Sequence, residues 1–372
     1  MFTKNPTFMH LLFKTALVGL FCAVQLSTTK AQVRPRVIAY YTGSAEELPK
    51  YPLAGLTHII YSFLHLKGSA LSFDSPAQEA KVKKIVALKA NFPGLKINIS
   101  LGGWEGCYTC SQAFSTAEGR QAFANSTLAI LKNTQLDGID LDWEYPAIEG
   151  PPGHAFSPAD KDNFTDLVKR LRTTLGNSYE ITFAAGGFTK YLEQSVDWQA
   201  VAPLVDYINL MTYDLVGGYS KVTGHHTPLM GSPQQTQSTD RCVQWLLAHG
   251  VESQKLVVGA AFYARVWKQV SPEGNGLYQA GVFKWGVDYK AFGKRLNPDS
   301  GWVYHWDKSV KARFAYNTAK GEFATFDDNR SLKEKVKYVK KHKLGGIMFW
   351  ELGNDTYANG RLQSIYNAIG RK

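Results

Sequence analysis

Short apolar runs rich in β-branched and aromatic residues punctuate the chain, and most are followed by a loop and a longer stretch of helical periodicity. The runs fall at residues 37–42, 57–63, 96–101, 138–143, 180–185, 207–212, 255–260 and 346–350, and the helical stretches include 78–90, 117–131, 160–175, 236–249, 332–343 and 361–369. Strands alternating with helices imply a parallel sheet with right-handed crossovers. Eight such units in one α/β chain of this length fit a closed (β/α)8 TIM barrel. An open, doubly wound sheet would need a glycine-rich phosphate turn after its first strand, and Tyr41-Thr42-Gly43-Ser44 does not supply one.

One interval breaks the rhythm. About 85 residues separate the seventh run from the eighth, and residues 267–326 are rich in Gly, Tyr, Phe and Trp in short alternating runs. A structureless loop of that length would be unusual, so a small inserted α+β subdomain is expected between strands seven and eight.

The N-terminus has the pattern of an export leader. Lys4 and Lys14 precede the apolar run Thr15–Val24, which is too short to span a bilayer, and small residues at Thr29 and Ala31 suit cleavage after Ala31. Residues 1–31 are therefore expected to be a signal peptide and 32–372 the mature chain, secreted or periplasmic and with no stable membrane insertion. Losing Lys4, Lys14 and Lys30 lowers the formal charge from +11 to +8. Basic residues are scattered, the longest cluster being Lys340-Lys341-His342-Lys343, so the charge reads as a solvated surface and no nucleic-acid partner is expected.

Of four cysteines, Cys22 leaves with the leader. In an oxidising compartment Cys107 and Cys110 can close a small disulfide loop, leaving Cys242 free and buried. Unpaired thiols, or a metal or redox use of the C-x-x-C, are the alternatives. No second ligand pair stands at zinc spacing, so neither metal nor organic cofactor is expected.

The densest chemistry lies in Asp137-Gly138-Ile139-Asp140-Leu141-Asp142-Trp143-Glu144-Tyr145-Pro146. Residues two apart on a strand share a face, about 6.5 Å apart. Asp140, Asp142 and Glu144 therefore point one way, and Ile139, Leu141 and Trp143 the other. Parallel barrel strands have no solvent face, so the carboxylates belong to the barrel interior at its C-terminal end, where active sites form. Three carboxylates stacked there repel, so at least one holds a proton at neutral pH. A protonated carboxylic acid beside ionised ones is what a glycosidase general acid requires. A magnesium or calcium site is the other use of such a cluster.

Asp137-x-x-Asp140-x-Asp142-x-Glu144 resembles the D-x-x-D-x-D-x-E signature of glycoside hydrolase family 18, the chitinases and their relatives. Further boxes follow in family order: Ser100-Leu101-Gly102-Gly103-Trp104, Met211-Thr212-Tyr213-Asp214, Tyr263 with Arg265, and Phe349-Trp350. The insertion resembles the subdomain of one, bacterial-type, chitinase subgroup.

The resemblance implies a chitinase acting on chitin or chitooligosaccharides as a monomer, with Glu144 as the acid, Asp142 holding the substrate acetamide, Asp140 sharing a proton with Asp142, and Tyr213 orienting the acetamide oxygen. Asp214, Tyr263, Arg265, Met211, Gly103 and Tyr145 would bind the same sugar or its neighbours, and Trp350 would floor the site. Tyr40, Tyr61, Trp104 and Tyr219 are candidates for lining subsites. An endo-β-N-acetylglucosaminidase acting on N-glycan cores, and a non-catalytic chitin-binding lectin, are the competing readings. The insertion and Trp350 speak against the first, and the intact Glu144, Asp142 and Tyr213 against the second. Ala264 stands where many members have Gly, and Tyr219 where many have Trp, departures that touch sugar binding and leave the acid in place.

Overall fold

The computed structural model of the chain describes residues 34–371; the expected leader lies outside them. From its start the chain lays down β1 (Arg36–Tyr41), β2 (His58–Lys67) with a short antiparallel partner β3 (Ala70–Ser72), β4 (Lys96–Gly102), β5 (Gly138–Asp142), β6 (Glu180–Gly186), β7 (Tyr207–Met211) and β8 (Leu256–Ala261). Five further strands follow, β9 (Tyr263–Lys268), β10 (Val282–Asp288), β11 (Val303–Asp307), β12 (Ala312–Asn317) and β13 (Glu322–Phe326), before β14 (Gly346–Trp350) returns to the first sheet. β1 pairs in parallel with both β2 and β14, and this closes an eight-stranded barrel in the order β1-β2-β4-β5-β6-β7-β8-β14.

Alternation gives each barrel strand an inner and an outer face. Inward positions such as Ile38, Tyr40, Ile60, Ala184, Tyr207, Val257 and Met348 fill the barrel. Outward positions such as Val37, Ala39, Ile59, Ile139, Leu141 and Ile347 pack under the surrounding helices.

The helix expected at 236–249 begins at Thr239, because the Ser238 hydroxyl accepts from the Arg241 amide at 3.1 Å and caps it there. The helix expected at 332–343 begins earlier, at Asn329, under a reciprocal cap between Asp328 and Ser331. β2 overruns its expected end at Phe63, since Leu64-His65-Leu66-Lys67 continues the period-two pattern out to the pairing with β3.

β9 to β13 form the inserted subdomain, an antiparallel sheet ordered β10-β9-β13-β12-β11 with short helices at its flank. One face buries Val266, Val287, Phe292, Trp302 and Phe326, the other Trp267, Val270, Phe314, Tyr316 and Phe323. A fully buried ion pair locks this sheet to the barrel. Lys335 Nζ lies 2.7 Å from Asp327 Oδ2 and also donates to Thr227 and, at 3.1 Å, to the Gly259 carbonyl of β8. Asp327 in turn accepts from the Ala261 amide at 3.0 Å. The pair ties together the strand end from which Tyr263 and Arg265 depart. Among the described residues no helix is long and apolar enough to cross a membrane.

Candidate active site

β5 carries the carboxylates to the C-terminal mouth of the barrel, and there the environments of the three diverge. Asp140 is fully buried and accepts four hydrogen bonds: from Tyr40 Oη (2.9 Å), Ser100 Oγ (2.9 Å), Thr182 Oγ1 (2.6 Å) and Asn209 Nδ2 (3.1 Å). Burial raises its pKa, and these four donors pull it back. Asp142, one pleat higher, has no such shell. Its Oδ1 is buried without any hydrogen-bond partner. Burial first, then the charges of Glu144 and Asp140, drive its pKa well above the usual carboxylate range. Glu144, 8% exposed, is raised to about 7, mainly by burial and further by the Asp214 charge, with Tyr145 opposing. The three therefore differ: Asp140 at the bottom is buried but held by four donors, whereas Asp142 above it and Glu144 at the rim are pushed up by burial with less to oppose it.

Asp214 is held ionised opposite them. Arg265 grips it through Nε and Nη2, both at 2.6 Å, and the Tyr263 hydroxyl donates at 2.8 Å. Burial alone would raise its pKa, but Arg265, with His226, holds the carboxyl well below the usual range. Its φ of +54° is left-handed, a conformation that Asp tolerates better than most residues and that turns the chain sharply after Tyr213. Tyr213 is half-buried, and its hydroxyl donates only a weak hydrogen bond, to Met348 Sδ at 4.0 Å, so the phenol is free to donate elsewhere.

Rings line the cleft in two groups. Trp350 packs at 5.8 Å from Tyr40 and stacks on Phe63 at 5.6 Å. Trp104, 37% exposed, lies 6.2 Å from Tyr145 and 6.1 Å from Tyr219. The turn that aims Trp104 requires glycine. At Gly102 (φ +102°) a Cβ would stand 2.4 Å from the Asp142 carbonyl, and at Gly103 (φ +80°) 2.4 Å from the Phe63 ring. Met211 closes the interior below, 9% exposed.

Cys107 and Cys110 are joined by a disulfide in the loop after Trp104, and Cys242 is free and buried. Among the described residues no group of three or more His, Cys, Asp or Glu side chains is arranged to hold a metal ion.

The structure thus brings together Asp140, Asp142, Glu144, Tyr213, Asp214, Tyr263, Arg265, Tyr40, Met211, Gly103, Trp104, Tyr145 and Trp350. Tyr61 is the correction. It pairs in register with Tyr41, is 3% exposed, and belongs to the outer layer near Lys81, so it faces the helices and does not reach the cleft. The inward place next to it is taken by Ile60.

Four contributors escaped the sequence reading: Thr182 and Asn209 beneath Asp140, Phe63 behind Trp350, and the buried His226, whose Nδ1 is 3.6 Å from Asp214. For Thr182 and Asn209 a signal existed, since each is a polar residue at a mid-strand inward position of a largely apolar strand.

Residues 36–355 match the sequence profile of the glycosyl hydrolases family 18. Chitinase A1 of Niallia circulans is 33% identical over 308 residues, which span 76% of this chain and 44% of that protein. Chitinase B of Serratia marcescens is 32% identical over 383 residues, spanning 82% of this chain and 74% of that protein. Among solved structures, a family 18 N-acetylglucosaminidase from Paenibacillus barengoltzii superposes with a TM-score of 0.82 at 34% identity, covering 90% of this chain and 99% of that one.

Proposed function

The chain belongs to the glycosyl hydrolases of family 18, and from that membership we propose that it is an exported, monomeric chitinase hydrolysing β-1,4 linkages between N-acetylglucosamine units. The reaction proceeds with retention, the substrate's own acetamide serving as nucleophile, the known exception to the two-carboxylate scheme.

Glu144 gives its proton to the glycosidic oxygen as the bond from that oxygen to the anomeric carbon breaks. The acetamide carbonyl oxygen attacks the anomeric carbon from the opposite face and forms an oxazolinium ion. Asp142 accepts the acetamide N–H and offsets the positive charge that develops. Asp140, held by its four donors, keeps its negative charge close beneath and lets a proton settle on Asp142 between turnovers. The Tyr213 hydroxyl donates to the acetamide oxygen and aims it, while Asp214, ionised by Arg265, binds polar groups of the same sugar. Trp350 gives the reacting ring an apolar floor. Glu144, now a carboxylate, takes a proton from water, which adds to the anomeric carbon on the face the leaving group vacated and reopens the ring.

The observation that carries this reading is Asp142 Oδ1, a buried acceptor with no partner among the described residues, set between Asp140 and Glu144. An acceptor left unpaired in that position costs stability, and an amide N–H of the substrate satisfies it.

Product analysis on chitooligosaccharides beside a denatured N-glycoprotein tests the proposal. Release of short chitooligosaccharides with no glycan release is expected. Glycan release alone would favour the endo-β-N-acetylglucosaminidase reading. Release of single sugars only would place the chain with the activity named for the Paenibacillus enzyme, and no turnover at all would favour the lectin.

A further inference from the structure

Large aromatic rings are normally withdrawn from water, so the ones left exposed ask for a reason. Trp104, Tyr108, Phe156 and Tyr219 are 37%, 42%, 44% and 71% exposed, and all lie in loops that leave the C-terminal ends of β4, β5 or β7. The other exposed aromatics among the described residues lie in the insertion or in the loop after β14, at the same end. None stands on a barrel helix or at the opposite mouth. Exposure of rings is thus confined to the face that carries the carboxylates.

Tyr108 is the most constrained of them. Both flanking cysteines are 0% exposed and joined to each other, with Cα atoms 5.1 Å apart, and the Cys110 amide donates to the Cys107 carbonyl at 3.0 Å. The tip of this closed loop cannot fold back into the core, and the ring stays in water. One side of it rests against buried His154, ring centres 5.6 Å apart, in the loop after β5 that also carries Phe156. Four residues earlier in the same loop stands Trp104, beside Tyr145 and therefore next to the Glu144 acid. Trp350, the floor for the reacting sugar, belongs to the other ring group, with Tyr40 and Phe63. The departing part of the substrate, which receives the Glu144 proton, accordingly runs toward Trp104 and beyond it.

We propose that Tyr108, held outward by the Cys107–Cys110 loop, is a further stacking platform for an N-acetylglucosamine unit on the leaving-group side, one step out from Trp104. The inference rests on the chitinase reading and adds to it a preference for long substrates. An apolar pyranose face covers the exposed ring, and because the disulfide orders the loop beforehand, little freedom is lost when the sugar docks.

The test compares chitotriose with chitohexaose, using Tyr108→Ala and Tyr108→Trp. For Tyr108→Ala, KM for the hexamer should rise about three- to tenfold, the range a single ring stack supplies. The trimer's KM and both kcat values should stay within about twofold of wild type, and Tyr108→Trp should restore hexamer binding. Calorimetric binding of the hexamer to Glu144→Gln, with and without Tyr108→Ala, should show the same ratio free of turnover. Equal effects on trimer and hexamer, or no effect on either, would overturn the platform while leaving the chitinase reading intact. A wild-type enzyme inactive on both oligomers would overturn that reading and this inference with it.

Discussion

Replacing Glu144 by Gln removes the proton donor and an expensive buried charge in a single step, and the two effects have opposite signs. Gln has nearly the same shape but cannot donate the proton, so hydrolysis should fall by about two to four orders of magnitude. Stability should move the other way.

The Glu144 carboxyl is raised to about 7 by burial, from about 4.3 in an unfolded chain. Below about pH 4 it is protonated in both states and costs nothing. Between about pH 4 and pH 7 the unfolded chain releases the proton while the folded protein retains it, so wild-type stability falls over that window. Above about pH 7 the loss is complete, up to about 4 kcal/mol by linkage. Glu144→Gln escapes this loss and also relieves Asp142 of its nearest like charge. Scanning calorimetry of both proteins at pH 4.5, 6 and 8 reads the difference. The variant's advantage in Tm should grow with pH, reaching about 2–6 °C at pH 8 for a chain of this size. A Tm difference that does not vary with pH would refute the account of a carboxyl held protonated by burial. Activity above about a tenth of wild type would remove Glu144 from the acid role.

The pH dependence of kcat/KM follows from the same group: because the acid must hold its proton, the rate should decline on the alkaline side as pH rises through about 7, and a plateau extending to pH 9 would contradict this. Tyr213→Phe deletes the hydroxyl that aims the acetamide and should lower kcat by about 10²-fold with little change in Tm, since that hydroxyl has only a weak acceptor nearby. Lys335→Met strands buried Asp327 and should cost about 3–5 kcal/mol in urea unfolding; adding Asp327→Leu should recover much of it, and equal losses in the single and double variants would show that the pair is not the cause.

The barrel was legible because a parallel strand buried on both faces leaves a strong apolar signature, and eight of them recur with helices between. Its ends were less legible where caps rather than periodicity decide, as at Ser238 and Asp328. The five strands of the insertion blurred into one aromatic-rich stretch, because β9, β12 and β13 are buried on both faces while the flanking strands β10 and β11 are largely exposed, so no single apolar pattern marks them all.

At the site, Asp140, Asp142 and Glu144 could be placed on one face by counting in twos. The same count decides Tyr61: with Tyr40 inward, its register partner Ile60 is inward as well, so Tyr61 must point out. That inference needs the pairing of β1 with β2, which the linear sequence does not contain. Thr182, Asn209 and His226 come from strands and loops distant along the chain, and only closure of the barrel carries them to Asp140 and Asp214.

Substrate-assisted catalysis is the central claim, and supplying the same oligosaccharide with and without its acetyl groups tests it most directly. Chitohexaose and its fully deacetylated counterpart would be incubated with the enzyme at equal concentration, products followed by mass spectrometry and the protein examined for covalent adducts. The account predicts cleavage of the acetylated chain only, with unmodified protein throughout, because deacetylation removes the nucleophile itself. Cleavage of the deacetylated chain, or a glycosyl ester trapped on Asp142, would contradict it.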